Sequence, residues 1–548
     1  MYRNRLTIEF SMVFCYHRDM STVDLSAMTK EELEEYALKT SKELDTVSAE
    51  LEYYKELFRR SQAKQFGKKN EQTKVDDGEQ KSLFDEIEAE CDETLEEPKA
   101  ERACPVRKSR EKGKKDKLLK ALKKVEPKEY ILTEEEKICP VCGQPLQEMS
   151  KRVHREVEII PAKVVVRDHI QHIYNCRNCE KNETEATILA ADMPKPLLRS
   201  SILSPSLGAY IIQRKYENRD PLEKIAKDLK LYGVNIGKAN LSNWMMNLSE
   251  RYFQPLYDRM REILLSYDII QADETSLQVL QEKERSNCYM WMFRSGIGRA
   301  PIVLYHYDHG SRAGFVPESF LQGYCGYLQT DGYKAYNHAG KDVIRVGCLA
   351  HARRRYADAL NGLTEKESPR AKRIQQGVIW CDKIFALDAQ CRSLKTAEER
   401  TEFRQTRMWE TFEAFFAWAE NELRKMPPKS LYLDALNYTV NNENFLRNSL
   451  LDERLEVSNN RGERAIKPFV MGRKNWLFCN TARGAQSSAV LYSIVVTAME
   501  NDLLPFEYLN YLLDQVRRID LADKAAVDRL LPWSDEVPDE CRRKEESE

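Results

Sequence analysis

The sequence predicts a multidomain chain of mixed α+β and α/β class. Three observations carry this reading: an apolar heptad repeat within residues 30–65, two C-x2-C knuckles with β-rich residues between them, and alternating strand-like and helix-like runs from residue 263 onward. A length of 548 residues corresponds to about three or four domains of ordinary size. Hydrophobic residues make up 42% of the chain, enough to bury cores, and charged residues 32%. Lys+Arg 86 against Asp+Glu 88 gives a formal net charge of −2, which excludes a uniformly basic coat but not local basic patches. No apolar run reaches the ~18 residues of a membrane helix. The best stretch, Ile8 to Tyr16, is short, contains Glu9 and lacks a small-residue cleavage site, so neither a membrane span nor a signal peptide is expected. The 14 cysteines then point to a reducing compartment, where close pairs bind metal more often than they form disulfides.

Residues 1–29 form an unmatched N-terminal tail. In residues 30–65, Leu33, Thr40, Val47 and Tyr54 share one heptad position and Ala37, Leu44, Leu51 and Phe58 the other. The 4-3 spacing puts both sets on one helix stripe, which a coiled coil needs, although Ala37 and Thr40 weaken the seam. The alternative is an amphipathic helix packed on its own protein. Residues 66–130 hold an acidic block, Asp76 to Glu97, and a basic one, Arg102 to Lys124, with little apolar support, and read as a charged linker.

Residues 131–192 carry Cys139-Pro140-Val141-Cys142 and Cys176-Arg177-Asn178-Cys179, with the β-rich runs Val157–Pro161 and Lys163–Arg167 between them. Thiolates two apart grip one tetrahedral Zn2+ from a tight turn, and a second turn closes the site without an open position. A structural zinc-binding β domain is expected. Residues 193–262 turn helical, and two short helices flanking Tyr232-Gly233-Val234-Asn235 have the outline of a helix-turn-helix. Within 263–475, five strands are expected at Ile269–Leu280, Tyr289–Phe293, Ile302–Tyr307, Gly326–Thr330 and Val343–Val346, the first three as an antiparallel meander. A helical block occupies about 360–455. C-terminal helices fill 476–520, and 521–548 reads as a charged tail.

Acids interrupt this pattern at Asp273, in an apolar strand, at Asp331, just past a strand's end, and at Glu463, in Ser458-Asn459-Asn460-Arg461-Gly462-Glu463-Arg464. Carboxylates so placed suit two Mg2+ ions in phosphodiester chemistry. Paired carboxylates also suit glycoside hydrolysis, and spacing alone leaves both open.

Taken with Phe66-Gly67, the Cys knuckles, Ala272-Asp273-Glu274-Thr275, Asp331-Gly332-Tyr333, Cys348-Leu349-Ala350-His351-Ala352-Arg353-Arg354, the run from Asn459 to Pro468 and Gly472-Arg473-Lys474-Asn475-Trp476, the chain resembles bacterial transposases of the insertion-sequence-66 family, of TnpC type. The likeness runs from about residue 30 to 517. It implies an RNase H-like catalytic core interrupted by the helical block, with Asp273, Asp331 and Glu463 as a DDE triad holding two Mg2+ or Mn2+ ions. It implies support at the active centre from Glu274, Cys348, His351, Asn459 and Asn460. DNA contacts are expected from Arg353, Arg354, Arg464, Lys467, Arg473 and Lys474, since guanidinium forks suit phosphate oxygens. Trp476 reads as core rather than as a base-stacking platform. Ser458 and Gly462 depart from many members, which carry Asp and another small residue there.

The implied activity is cleavage at inverted repeats and transfer of the freed 3′-hydroxyl to target DNA, in the bacterial cytoplasm at the nucleoid. Expected partners are DNA, a second copy through the coiled coil and small accessory transposition proteins, with no membrane. Two other readings share the sequence: a catalytically inactive DNA-binding relic or regulator, and a metal-dependent nuclease that cuts without joining.

Overall fold

A computed structural model describes residues 29–66, 163–175, 188–190, 193–199, 201–282, 287–365, 368–425 and 429–543. Helix α1 (Lys30–Phe66) comes first, followed by the short strands β1 (Ile173–Asn175) and β2 (Ile188–Ala190). Helices α2 (Pro205–Tyr216), α3 (Leu222–Leu231), α4 (Lys238–Leu248) and α5 (Gln254–Leu265) come next. The strands β3 (Ile269–Leu277), β4 (Cys288–Ser295), β5 (Val303–His306), β6 (Gly326–Gln329) and β7 (Val343–Val346) match the five expected. After them run α6 (Leu349–Asn361), α7 (Pro369–Ser393), α8 (Trp409–Leu423), α9 (Leu431–Asn441), α10 (Asn460–Trp476), α11 (Ala482–Glu500) and α12 (Pro505–Gln515). The chain divides into two compact units, one of residues 1–87, 327–337 and 343–460, the other of 88–326, 338–342 and 461–548. The segment 263–475 thus contributes to both.

In the first unit the helical block builds its own core. Tyr356 from α6, Ile374 and Ile384 from α7, Phe412 and Phe415 from α8, and Tyr432 from α9 are buried together. Ser368 and Ser430 start α7 and α9 by accepting the backbone N–H three residues on, the usual N-cap bond. Arg404 is buried and held by Asp388 at 3.1 Å and by the carbonyls of Ser449 and Leu455 at 2.7 and 2.6 Å.

Helix α1 belongs to this unit and uses two faces. Tyr53 and Leu57 pack on the helical core, and the buried Glu56 accepts the Leu431 N–H at 3.1 Å and pairs with Arg370 at 2.7 Å. Arg60 pairs with Asp358 at 2.8 Å. The heptad stripe is a different face: Leu33, Leu44, Val47, Leu51, Tyr54 and Phe58 are 37–65% exposed. The reading of a helix packed on its own protein therefore holds for one side, and the heptad stripe is left exposed on the other.

The second unit contains an antiparallel ladder, β5-β4-β3, in which Asp273 faces Met292 and Trp291 faces His306. This is the expected meander. Strand β4 is buried along nearly its whole length, so both its faces are covered. The Ser493 and Thr497 hydroxyls of α11 accept the N–H groups of Tyr305 and Val303 at 2.8 and 3.0 Å, and Thr497 also donates to the Val303 carbonyl. A helix thus satisfies the edge of β5.

Helices α3 and α4 flank a turn at Gly233, whose φ of +86° favours glycine, as the helix-turn-helix outline requires. Strands β1 and β2 pair antiparallel, with Tyr174 opposite Leu189. In the β-rich run Lys163–Arg167 no strand is assigned among the described residues, and Val165 and Val166 are exposed. The run Val157–Pro161 and the four knuckle cysteines lie outside the described residues, as do the linker from residue 67 and the tail before residue 29.

Residues 521–543, charged in sequence, are folded. Val527, Leu530, Leu531 and Cys541 are buried, Tyr508 donates to the Leu530 carbonyl at 2.8 Å, and Arg259 binds Asp528 at 2.7 Å. The charges sit on the outside of an apolar set spaced too irregularly to read as an element.

Candidate active site

Asp273 sits where β3 changes character. Ile269 to Ala272 are buried and Asp273 to Ser276 half-buried, so the acid lies at the point where the sheet opens. Its Oδ1 accepts the N–H of Glu274 at 2.8 Å. Strand alternation sends Glu274 to the opposite face, where its carboxylate is 2% exposed and binds Arg312 at 2.6 Å. Arg312 in turn lies 4.8 Å over the Tyr289 ring. Glu274 is thereby committed to an ion pair.

Glu463 is a buried residue in the first turn of α10, and the same unit's sheet holds that helix at both ends. Arg294 donates to the Arg461 carbonyl at 3.1 Å and to Glu500, and the Tyr305 hydroxyl donates to the Ala465 carbonyl. Further along, Arg473 donates to Ser276 on β3 at 2.7 Å, and burial pulls its guanidinium below its ordinary pKa. The chain after α10 adds backbone bonds, Leu280 N–H to Cys479 O and Cys479 N–H to Gln278 O. The helix bearing Glu463 is thus bonded directly to the strands that carry Asp273.

In the first unit, Asp331 follows β6 in a tight turn, its Oδ1 accepting the Tyr333 N–H at 2.8 Å. Arg345, buried on β7, clamps the same turn. It donates to the Asp331 carbonyl at 2.9 Å and to Asn337, and its guanidinium lies 4.4 Å over Phe445. A Cβ on Gly332 would meet the Tyr438 ring at 2.6 Å, so glycine lets this turn close against α9. Cys348 is buried and its Sγ accepts the Asn459 N–H at 3.1 Å, joining the start of α6 to the residue preceding α10. Asn460 is the first residue of α10.

His351, one turn into α6, is held at a pKa of about 4, chiefly by burial and then by Arg354, against the pull of Asp331. Its imidazole is neutral at pH 7 and suits an orienting role better than an ionic phosphate contact. His351, Arg354 and Arg355 line a pocket of about 180 Å3, and Arg355 and Asp434 also line a larger one of about 380 Å3 beside Gly332.

The basic residues separate. Arg353 is buried and locked to Asp382 at 2.5 Å, so its fork faces α7. Arg464 and Lys474 are exposed, while Lys467 and Arg473 are half-buried. Trp476 is half-buried edge-on to Phe469, in keeping with a packing role. Sequence reading missed Arg294, Arg312, Arg345, Tyr305 and Tyr438. Arg294 and Arg345 carry a signal in hindsight, each being a lone charge at or within an apolar strand.

The profile described as transposase IS66 family matches residues 200–487, more than half of the chain, and so spans Asp273, Asp331 and Glu463. The chain belongs to the IS66 transposase family. Two further profiles of this transposase family match. The zinc-finger binding domain of transposase IS66 covers 136–180, which contains all four knuckle cysteines, and transposase C of IS166 homeodomain covers 53–126. The latter takes in the end of α1 and most of the stretch that reads as linker.

Three proteins of Sinorhizobium fredii (strain NBRC 101917 / NGR234) are similar to the transposase. Uncharacterized protein y4jD is 27% identical over 74% of this chain and 80% of its own length. Uncharacterized protein y4hP is 25% identical over 74% and 75%. Uncharacterized protein y4qI is 28% identical over 63% and 65%. Family membership makes this chain a transposase-type nucleic-acid enzyme and implies DNA as its partner and a divalent metal in its chemistry. Among the described residues no helix is long and apolar enough to cross a membrane.

Proposed function

We propose that this transposase binds the terminal inverted repeats of its element, hydrolyses the DNA at those ends and joins the freed 3′-hydroxyl to target DNA. The observation that carries the reading is the attachment of the Glu463 helix to the sheet that holds Asp273 through Arg294, Tyr305 and Arg473, a set of buried and partly buried polar contacts around two acids. Asp273, Asp331 and Glu463 are the proposed triad of an RNase H-like core. Their donors are carboxylate oxygens, which fit hard divalent ions, and Asp273 and Asp331 are each oriented by a backbone N–H. Bound there, two Mg2+ or Mn2+ ions would supply Lewis-acid activation of the attacking oxygen and stabilisation of the leaving one.

The chain's own residues have distinct tasks. Arg345 fixes the Asp331 turn, and His351, neutral at pH 7, takes an orienting rather than an ionic role. Exposed Arg464 and Lys474, with Lys467, Arg473 and Arg354, hold phosphate oxygens and position the ends for in-line attack. Cys139, Cys142, Cys176 and Cys179 supply four thiolates in two C-x2-C pairs, a donor set that suits one structural Zn2+. The α3–turn–α4 segment and the zinc domain serve end recognition. The exposed stripe of α1 pairs with a second copy, and small accessory proteins complete the machinery at the bacterial nucleoid.

The test is a strand-transfer assay with Mg2+ on DNA carrying the element's ends, with accessory proteins supplied. Wild type should yield joined product, and Asp273→Asn and Glu463→Gln should abolish it while still binding the ends. Joining by either variant at the wild-type rate would remove the triad. Binding without cleavage by wild type would leave a DNA-binding regulator, and cleavage without joining a nuclease.

A further inference from the structure

The 380 Å3 pocket lies wholly within the first unit and begins at Gly332, the residue after Asp331. Its size falls in the range of cavities that take small ligands, about 300–1,000 Å3. Its wall is α9 and the residues just beyond it, where Asn437 and Asn441 lie one turn apart on the same helix face, with Asn442 at the C-cap. Side-chain amides offer a donor and an acceptor side by side, the pattern that pairs with the edge of a purine. Asp434, also in the lining, adds an acceptor for an exocyclic amine. A helix C-terminus and a carboxylate repel phosphate and favour a neutral group that presents N–H donors.

The remaining lining supplies the other half of a nucleotide. Arg355 lies 4.4 Å over the Tyr438 ring, and a guanidinium backed by a ring presents its other face for stacking on a base. Lys334 lies on the side of the Asp331 turn, where it suits a phosphate beside an extruded residue, and Arg345 holds that turn in place. The Tyr438 ring, closed on Gly332, joins the two halves.

We propose that this cavity receives one unpaired nucleobase, swung out of the duplex beside the phosphate to be cut. The proposal rests on Asp331 acting at that phosphate, as set out above. Its role is positional: capturing the base fixes the strand's register at the acid and helps to melt the end.

The experiment uses the full-length protein and duplexes carrying the element's end joined to flanking DNA. 2-Aminopurine replaces, in turn, each base around the cleavage point, and Ca2+ replaces Mg2+ so that the DNA stays whole. At saturation, one position should brighten several-fold, and Asn437→Leu and Asn441→Leu should each remove at least half of that rise. Only variants that melt as wild type does are scored. DNA that is bound, and cut in Mg2+, with no brightening at any position overturns the pocket and leaves the transposase reading standing. A rise unchanged in both variants overturns it too, since the base is then unstacked elsewhere. If the ends are neither bound nor cut, the function reading fails, and saturation-transfer NMR with dAMP decides the pocket. Transfer lost in Asn437→Leu keeps a nucleobase site, and no transfer removes it.

Discussion

His306 lies on β5 with its ring 5.1 Å from Phe320, and burial holds its pKa at about 4 against an ordinary 6.5. Between those values the unfolded chain carries more proton than the folded one, so stability is complete above pH 6.5 and declines as the pH falls towards 4. One such group contributes at most about 1.4 kcal/mol per pH unit. Urea melts from pH 7.5 to 4.5 should show a shallower acid loss for His306→Gln than for wild type; identical slopes would remove His306 as the cause. Gly332 gives a steric prediction. Alanine there meets Tyr438 at 2.6 Å and should cost about 1–3 kcal/mol of stability, as overpacking does. In a double-mutant cycle the cost should largely vanish on a Tyr438→Ala background; if it persists, the ring is not what Gly332 makes room for. Such facts are invisible in sequence. Asp331-Gly332 is legible as a motif, but the ring that demands the glycine is more than a hundred residues away. Arg353 and Arg354 look alike as neighbours, and only the fold commits Arg353 to Asp382.

At the scale of elements, periodicity was a good guide wherever an element has one solvent face. The five strands stand where alternation and turn residues put them, and the turn between α3 and α4 is at its glycine. It was a weaker guide at Lys163–Arg167, where β-branched residues made a β-rich run to which no strand is assigned among the described residues. The seaming of β5 by Ser493 and Thr497 was unreadable, because small polar residues in an apolar helix have many uses. Helix α1 shows both outcomes, the heptad being plain in sequence and the docking face hidden. Glu56 tests the docking face. Glu56→Ala leaves the Leu431 N–H without its buried acceptor and should weaken the contact by about 1–3 kcal/mol. Hydrogen exchange should then speed up in residues 50–60 while the α7 and α8 core is unchanged. Unaltered exchange in α1 would mean that Tyr53 and Leu57 suffice to hold it.

For the whole molecule, the family and its motifs were legible because the acids and cysteines recur in local runs that survive without their context. The division into units was not, since β6, β7 and the helical block share one unit while β3–β5 and most of α10 belong to the other. The folded character of 521–543 was hidden for a similar reason, its apolar residues being few and irregularly spaced. Self-association is tested at this scale. Placing a charge in the exposed stripe, as Leu44→Glu with Leu51→Glu, should halve the mass measured by light scattering and leave the melting of the helical core intact. A mass unchanged by that pair would move any dimer contact elsewhere.

The Glu56–Leu431 bond spans 375 residues of chain, and this bears on how the protein is made. At roughly 5–20 residues per second of synthesis, about 20–75 s pass between the emergence of the helix and that of the surface it docks on. Throughout that interval the apolar stripe is already complete, whereas the intramolecular partner does not yet exist. Nascent chains on one messenger hold that stripe at high local concentration, so the proposed pairing of two copies would have a head start over docking and would need no exchange afterwards, because the docked residues lie on a different side of the helix.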